Sequence, residues 1–162
     1  MNFYIHHLYM LLGIIALIVC MCAPALLTFV YHDMTSVEMG NFTLRSVSIN
    51  PAETTSSATP CALGILLIVS ALVSAFTMFV SLFQNFSLQK RGAIFNCCIQ
   101  AGYYILLLVF VLILRVDTRY VDFGWQLCLP LISLILTVMS FYSIRMTEAK
   151  KLARANNFRL RD

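Results

Sequence analysis

Four runs of the chain are apolar at nearly every position: about Leu8–Phe29, Cys61–Phe83, Ala93–Leu114 and Trp125–Ile144. None contains Asp, Glu, Lys or Arg. Crossing a ~30 Å hydrocarbon core takes ~20 helical residues at a rise of ~1.5 Å, so each run is long enough to span a bilayer. The runs lack the alternation of polar and apolar residues that marks a transmembrane β-strand. A lone segment in lipid must satisfy its own backbone hydrogen bonds, which makes all four helices. The pattern therefore predicts an all-α fold, a four-helix transmembrane bundle forming a single integral membrane domain over residues 1–162. No cationic region precedes the first run, and its apolar stretch exceeds the ~7–15 residues of a signal-peptide core. It is expected to remain a membrane helix, bent in its outer third by Pro24.

Between the first two runs lies the longest polar connection, Val30–Pro60, rich in Ser and Thr. Within it, Asn41–Ile49 intersperses Phe42, Leu44, Val47 and Ile49 with polar residues, predicting one or two short strands across the bundle mouth. The Asn41-Phe42-Thr43 sequon has meaning only in a secretory pathway that glycosylates it. After the fourth run, Met146, Ala149, Leu152 and Ala153 fall on one helical face, and Glu148 precedes Lys151 by three. Helix four is expected to continue beyond the membrane as an amphipathic extension.

Composition agrees with this frame: 60% of residues are hydrophobic, 11% are charged and the mean hydropathy is +0.86. Soluble domains are roughly 45–50% apolar and about 25% charged. A soluble domain, a disordered tail, a coiled coil and a nucleic-acid-binding module are excluded. Of the eleven basic residues, Lys90, Arg91, Arg145, Lys150, Lys151, Arg154, Arg159 and Arg161 fall on one side of the predicted membrane. Only Arg45, Arg115 and Arg119 fall on the other. By the positive-inside rule both termini face the cytoplasm, and the Val30–Pro60 loop lies outside. Six of these cations, Arg145, Lys150, Lys151, Arg154, Arg159 and Arg161, form a basic tail suited to anionic lipid headgroups or to a docking partner.

Polar residues recur at helical spacing inside the runs. Ser70, Ser74, Thr77 and Ser81 lie on one face of helix two; Asn96, Gln100 and Tyr103 form a stripe on helix three. Ser133, Thr137 and Ser140 do the same on helix four, with Gln126 one heptad before Ser133. Small and hydrogen-bonding residues hold helices together in lipid, where no hydrophobic drive exists between them. The alternative is a neutral polar path for a solute. Pumps and proton-coupled carriers characteristically place ionisable groups in their spans, and none of the four runs has a carboxylate or a Lys or Arg.

The cysteines, Cys20, Cys22, Cys61, Cys97, Cys98 and Cys128, form Cys-x-Cys and Cys-Cys pairs but no Cys-x-x-Cys, which weakens a thiol-redox reading. Free cysteine is otherwise a small hydrophobe suited to a packed interior. His6 and His7 sit together at the inner edge and His32 on the other side, so they are read as interfacial residues rather than ligands of a metal or haem. There is no metalloprotease, nucleophile-elbow or phosphate-loop motif. No catalytic residue, cofactor or metal is expected.

Three features together resemble a known family: the four uncharged spans, the segment Leu82-Phe83-Gln84-Asn85-Phe86-Ser87-Leu88-Gln89-Lys90-Arg91 running to Asn96, and the basic tail ending Arg159-Leu160-Arg161. The chain resembles the uncharacterised four-helix inner-membrane proteins of Bacteroidetes-type bacteria, a domain of unknown function. The resemblance covers essentially the whole chain and implies a bacterial inner-membrane location. It implies no activity and carries over no functional residue. The expected role is a non-catalytic accessory or scaffold subunit, with a membrane-protein partner or a second copy of itself, in contact with the lipid bilayer and with no nucleic acid. A reporter fused after Asp162 is expected to read as cytoplasmic and one inserted near Ser57 as outside; the reverse pattern in a paired phosphatase and fluorescent-protein assay would overturn the charge argument.

Overall fold

The computed structural model describes residues 5–23, 25–32, 35–47, 55–57, 61–83, 85–115 and 118–159. The elements in order are α1 (Ile5–Met21), β1 (Leu27–Tyr31), β2 (Ser36–Met39), β3 (Leu44–Val47), β4 (Thr55–Ser57), α2 (Cys61–Leu82) and α3 (Phe86–Leu114). They are followed by β5 (Thr118–Phe123), a 3-10 turn (Trp125–Leu127) and α4 (Cys128–Arg159). Each helix packs on its two neighbours, α1 on α2, α2 on α3, α3 on α4 and α4 back on α1, closing a ring. Segments Cys61–Ser81, Phe86–Leu114 and Trp125–Ala153 are long and apolar enough to cross a membrane. Their outward side chains, such as Leu72, Phe76, Ile105, Leu108 and Ile135, are apolar and exposed. A surface of that kind is stable against lipid and not against water. The chain is a membrane protein.

The expectation of an all-α fold needs correction. Four of the five strands come from the first polar connection and its flank, and the fifth from the link between α3 and α4. The sheet is antiparallel throughout, in the order β4-β3-β2-β1-β5. The first apolar run is not one helix. α1 ends at Met21, where Cys22 N–H donates to Ile18 O and Ala23 N–H to Cys20 O, and Leu27–Tyr31 continues as the strand β1. Pro24, where a bend was expected, lies outside the described residues. A short buried strand and a helix end are equally apolar, so hydropathy alone cannot separate them. In β1 only Thr28 breaks the apolar run, so its alternate burial leaves little mark in the sequence.

The start of the third helix also differs. α3 begins at Phe86 rather than Ala93 because Asn85 caps it, its Oδ1 accepting from Leu88 N–H at 3.2 Å. α4 runs on to Arg159, in line with the expected extension of helix four.

The sheet closes the end of the bundle where α1 and α3 finish and α2 and α4 begin, called here the sheet end. Register places Leu27 beside Met39 and Phe29 beside Val37, with Leu44 opposite Met39 and Val121 opposite Phe29. These side chains face the helices; Leu27, Phe29 and Met39 are buried against Leu17, Leu63, Leu67 and Leu107. The intervening residues Asp122, Thr28, Glu38 and Arg45 stand in a row on the opposite face. Tyr31 Oη ties the sheet to α3, donating to Leu114 O at 3.0 Å, and Gly124 N–H, donating to Leu26 O at 2.9 Å, extends the contact of β5 with β1.

Gly64 is a point of close approach between sheet and bundle. In the first turn of α2, its N–H donates to Asn41 O at 2.9 Å, and the Phe42 ring occupies the volume a Cβ would need. Gly64→Ala is therefore expected to lower stability by about 1–3 kcal/mol, the range for forcing extra volume into a packed site. Phe42→Leu in the same chain is expected to restore part of that loss. Denaturant unfolding of the two single variants and the double variant in detergent checks both, and additive losses would contradict the contact.

Candidate functional site

The helical spacing of small and polar residues delivers one polar face from each of α2, α3 and α4 to the centre of the ring. Ser70, Ser74, Thr77, Ser81, Asn96, Gln100, Tyr103, Ser133, Thr137 and Ser140 are all buried. Their bonds run between helices more than within them.

The middle of the bundle is organised by two amides on α3. Asn96 Oδ1 accepts from Ser70 Oγ at 2.7 Å, while its Nδ2 donates to Ser74 Oγ at 2.8 Å and to Thr137 Oγ1 at 3.3 Å. One turn towards the sheet, Gln100 Nε2 donates to Ser70 Oγ and to Ser133 Oγ, each at 3.0 Å. Three helices thus share one connected cluster. Thr137 Oγ1 donates in turn to Ser133 O at 2.9 Å, and Thr77 Oγ1 to Val73 O at 2.7 Å. Gly92 allows α3 to pass close to α2 here, since a Cβ at that position would fall on Thr77 Oγ1.

Towards the sheet end, Tyr103 Oη donates to Asn41 Oδ1 at 3.0 Å, and Asn41 Nδ2 donates to Cys20 O at 2.7 Å. Asn41 belongs to the connection between β2 and β3, where Gly40 N–H donates to Thr43 O at 2.8 Å. Its side chain is 1% exposed and joins the sheet, α1 and α3 at one point. The sequence pointed to Asn41 as the first residue of a sequon and of a segment expected to form short strands. Its burial and bonds give it a structural place instead.

At the opposite end, the imidazole of His6 lies 3.1 Å (Nε2) from Ser81 Oγ, and that hydroxyl lies 2.8 Å from His7 Nε2. Ser140 Oγ donates to His6 O at 3.4 Å, adding α4 to the junction of α1 and α2. The reading of His6 as interfacial is corrected: it is 1% exposed. The signal was present in its spacing, because His6, Met10, Gly13, Leu17 and Cys20 are the buried stripe of α1. Gln89 was also passed over, though it lies seven residues before Asn96 on the same face. It is fully buried, and neither amide atom has a partner among the described residues.

Gln126 does not join the column. It stands in the 3-10 turn before α4, where the chain has not yet taken up the helical phase that would carry it over Ser133. Among the basic-tail residues, Arg145 lies 5.9 Å from the Phe141 ring and Lys151 lies 4.8 Å from the ring of Phe86. Lys150 is exposed. Arg154 and Arg159 are within α4, and Arg161 lies outside the described residues. Lys90 pairs with Glu148 at 2.8 Å, linking the start of α3 to the extension of α4.

All six cysteines are free thiols. Among the described residues, no three His, Cys, Asp or Glu side chains come together as a metal-binding group.

The chemistry this interior supports is cohesion. Individual interhelical hydrogen bonds in a membrane protein average ~0.6 kcal/mol, but Asn96 and Gln100 each serve several partners, and losing either strands the rest in a water-poor core. Asn96→Leu is expected to cost roughly 1–3 kcal/mol and Ser140→Ala less than about 1 kcal/mol. In a double-mutant cycle Asn96→Leu and Ser74→Ala should couple, whereas Asn96→Leu and Ser140→Ala should add. Unfolding by steric trapping in bicelles measures these terms, and full additivity at both pairs would remove Asn96 from its central place.

A comparison with curated proteins finds no match to this chain. A family model, described as domain of unknown function (DUF4293), matches residues 5–157 and so takes in α1, the sheet, the polar column and nearly all of α4. The chain belongs to the DUF4293 family of domains of unknown function.

Proposed function

We propose that this protein is a non-catalytic accessory or scaffold subunit of a larger assembly in a bacterial inner membrane. The observation that carries the reading is the way the interior is used. Most of its hydroxyls and amides hydrogen-bond one another across helices, as in the cluster joining Ser70, Asn96, Gln100 and Ser133. Groups committed to one another are poorly placed to bind and release a solute, so the same cluster favours cohesion over a conduction path.

The ends of the bundle then supply the contacts. The positive-inside asymmetry of the sequence favours a sheet end on the extracytoplasmic side and a basic extension of α4 in the cytoplasm. β5 and β4 are the two edge strands of the sheet, and β5 presents exposed Tyr120 and Phe123 beside exposed Trp125. An edge strand is a template for pairing with an extended segment of another chain. On this reading the partner is a membrane protein with an extracytoplasmic segment, or a second copy of the protein.

Affinity purification from native membranes in a mild detergent, with the tag replaced at native expression level, tests the proposal. A stoichiometric membrane-protein partner or a stable homo-oligomer is expected, weakened by Val121→Pro, which disrupts β5. Recovery of the monomer alone would end the subunit reading.

A further inference from the structure

At the sheet end, a cavity of about 300 Å³ opens beside β5, at the top of α3. Val111, Val121 and Phe123 supply apolar wall, and Arg115 and Arg119 supply two cations. The local backbone brings the two arginines together. Arg115 O accepts from Thr118 N–H at 3.3 Å and from Thr118 Oγ1 at 3.0 Å, which ties the end of α3 to the start of β5. In the pairing of β5 with β1, Tyr31 stands opposite Thr118 and Val30 opposite Tyr120, leaving Arg119 as the extra residue of a bulge. Such bulges re-aim a side chain out of the regular alternation. Here it joins Arg115 at the same cavity.

We propose that this cavity is a binding site for the headgroup of an anionic phospholipid in the leaflet at the sheet end. Three observations select that ligand chemistry. Two guanidinium groups offer the forked donors that suit a phosphate diester. Both arginines are exposed, and among the described residues no carboxylate lines the cavity. Below the cavity, the exposed side of α3 continues as Leu112, Leu108 and Ile105, an apolar track along which acyl chains can lie. A free inorganic anion would have no use for that track. General charge attraction does not account for such a site, because between residues 30 and 124 the sheet-end connections carry Arg45, Arg115 and Arg119 against Asp33, Glu38, Glu53, Asp117 and Asp122.

The chain contains one tryptophan, Trp125, exposed and two residues beyond the cavity wall at Phe123. It serves as the reporter, and it senses only the leaflet in question. The protein is placed in nanodiscs of phosphatidylcholine holding a minor fraction of phosphatidylglycerol, with bromine quencher on the acyl chains of one lipid or the other. Two guanidinium groups at headgroup level are expected to enrich the anionic lipid roughly fivefold or more over its bulk fraction. Trp125 should therefore be quenched far more per brominated phosphatidylglycerol than per brominated phosphatidylcholine. Arg115→Gln with Arg119→Gln should abolish the difference while leaving quenching by brominated phosphatidylcholine unchanged, which shows that the fold is intact. Lys150→Gln with Lys151→Gln, at the other end of the bundle, should leave the difference in place. Equal quenching by the two lipids in the unaltered protein would overturn the proposal. So would a difference that survives the double arginine substitution, or one erased by inorganic phosphate at constant ionic strength, which would make the free anion the ligand.

Discussion

Hydrogen bonding between polar groups buried among the helices organises this molecule, although Gln89 and the Oε1 of Gln100 have no partner among the described residues. Asn96 and Gln100 are large amides placed at the middle of a helix that lipid surrounds on one side, where an unmet donor or acceptor costs more than a net hydrogen bond returns. Both oxygen and nitrogen of Asn96, and the nitrogen of Gln100, are met because α2 and α4 present Ser70, Ser74, Ser133 and Thr137 at the matching depth. Satisfaction of one helix therefore depends on the position of two others. That dependence fixes rotation and depth for α2, α3 and α4 together, which purely apolar helices in lipid cannot do, since leucine meets a lipid chain as readily as another leucine.

The sheet is the second consequence of the same requirement. α1 has 17 residues, about 26 Å at ~1.5 Å per residue and short of a ~30 Å hydrocarbon core, and its final carbonyls need partners beyond the helix. Asn41 reaches down from the sheet to take the carbonyl of Cys20, and Tyr103 reaches up from α3 to Asn41. Pairing β1 with both β2 and β5 satisfies the backbone of an apolar strand that a simple loop could not bury. Because β5 arrives from the link between α3 and α4, the sheet also clamps the first and last parts of the chain across the bundle mouth. The end of the helices is closed by a surface apolar towards the bundle and polar on its other side.

Much of the interior was legible residue by residue. The spacing of Ser70, Ser74, Thr77 and Ser81, and of Ser133, Thr137 and Ser140, identified the inward faces because helix periodicity converts sequence spacing into direction. Gln126 misled, since counting a heptad back from Ser133 assumes the helix has already begun, and a 3-10 turn intervenes. Asn41 and His6 were passed over for a different reason. Each is a polar residue near a predicted membrane boundary, where exposure to headgroups is the ordinary expectation. Only a partner on a distant segment, Tyr103 for one and Ser81 for the other, makes burial favourable.

By itself the sequence determined that the chain belongs in lipid, where its long helices lie, and which faces of those helices avoid lipid. These follow from composition and from periodicities set by local backbone geometry. The tertiary structure decided that Leu27–Tyr31 is a strand and not the end of a helix, that Thr118–Phe123 pairs with it, and that α1 sits between α2 and α4. It also decided that Arg115 and Arg119 share one cavity. All of these depend on pairings between residues far apart in the chain, and an apolar run carries no mark of the partner that will complete its hydrogen bonds.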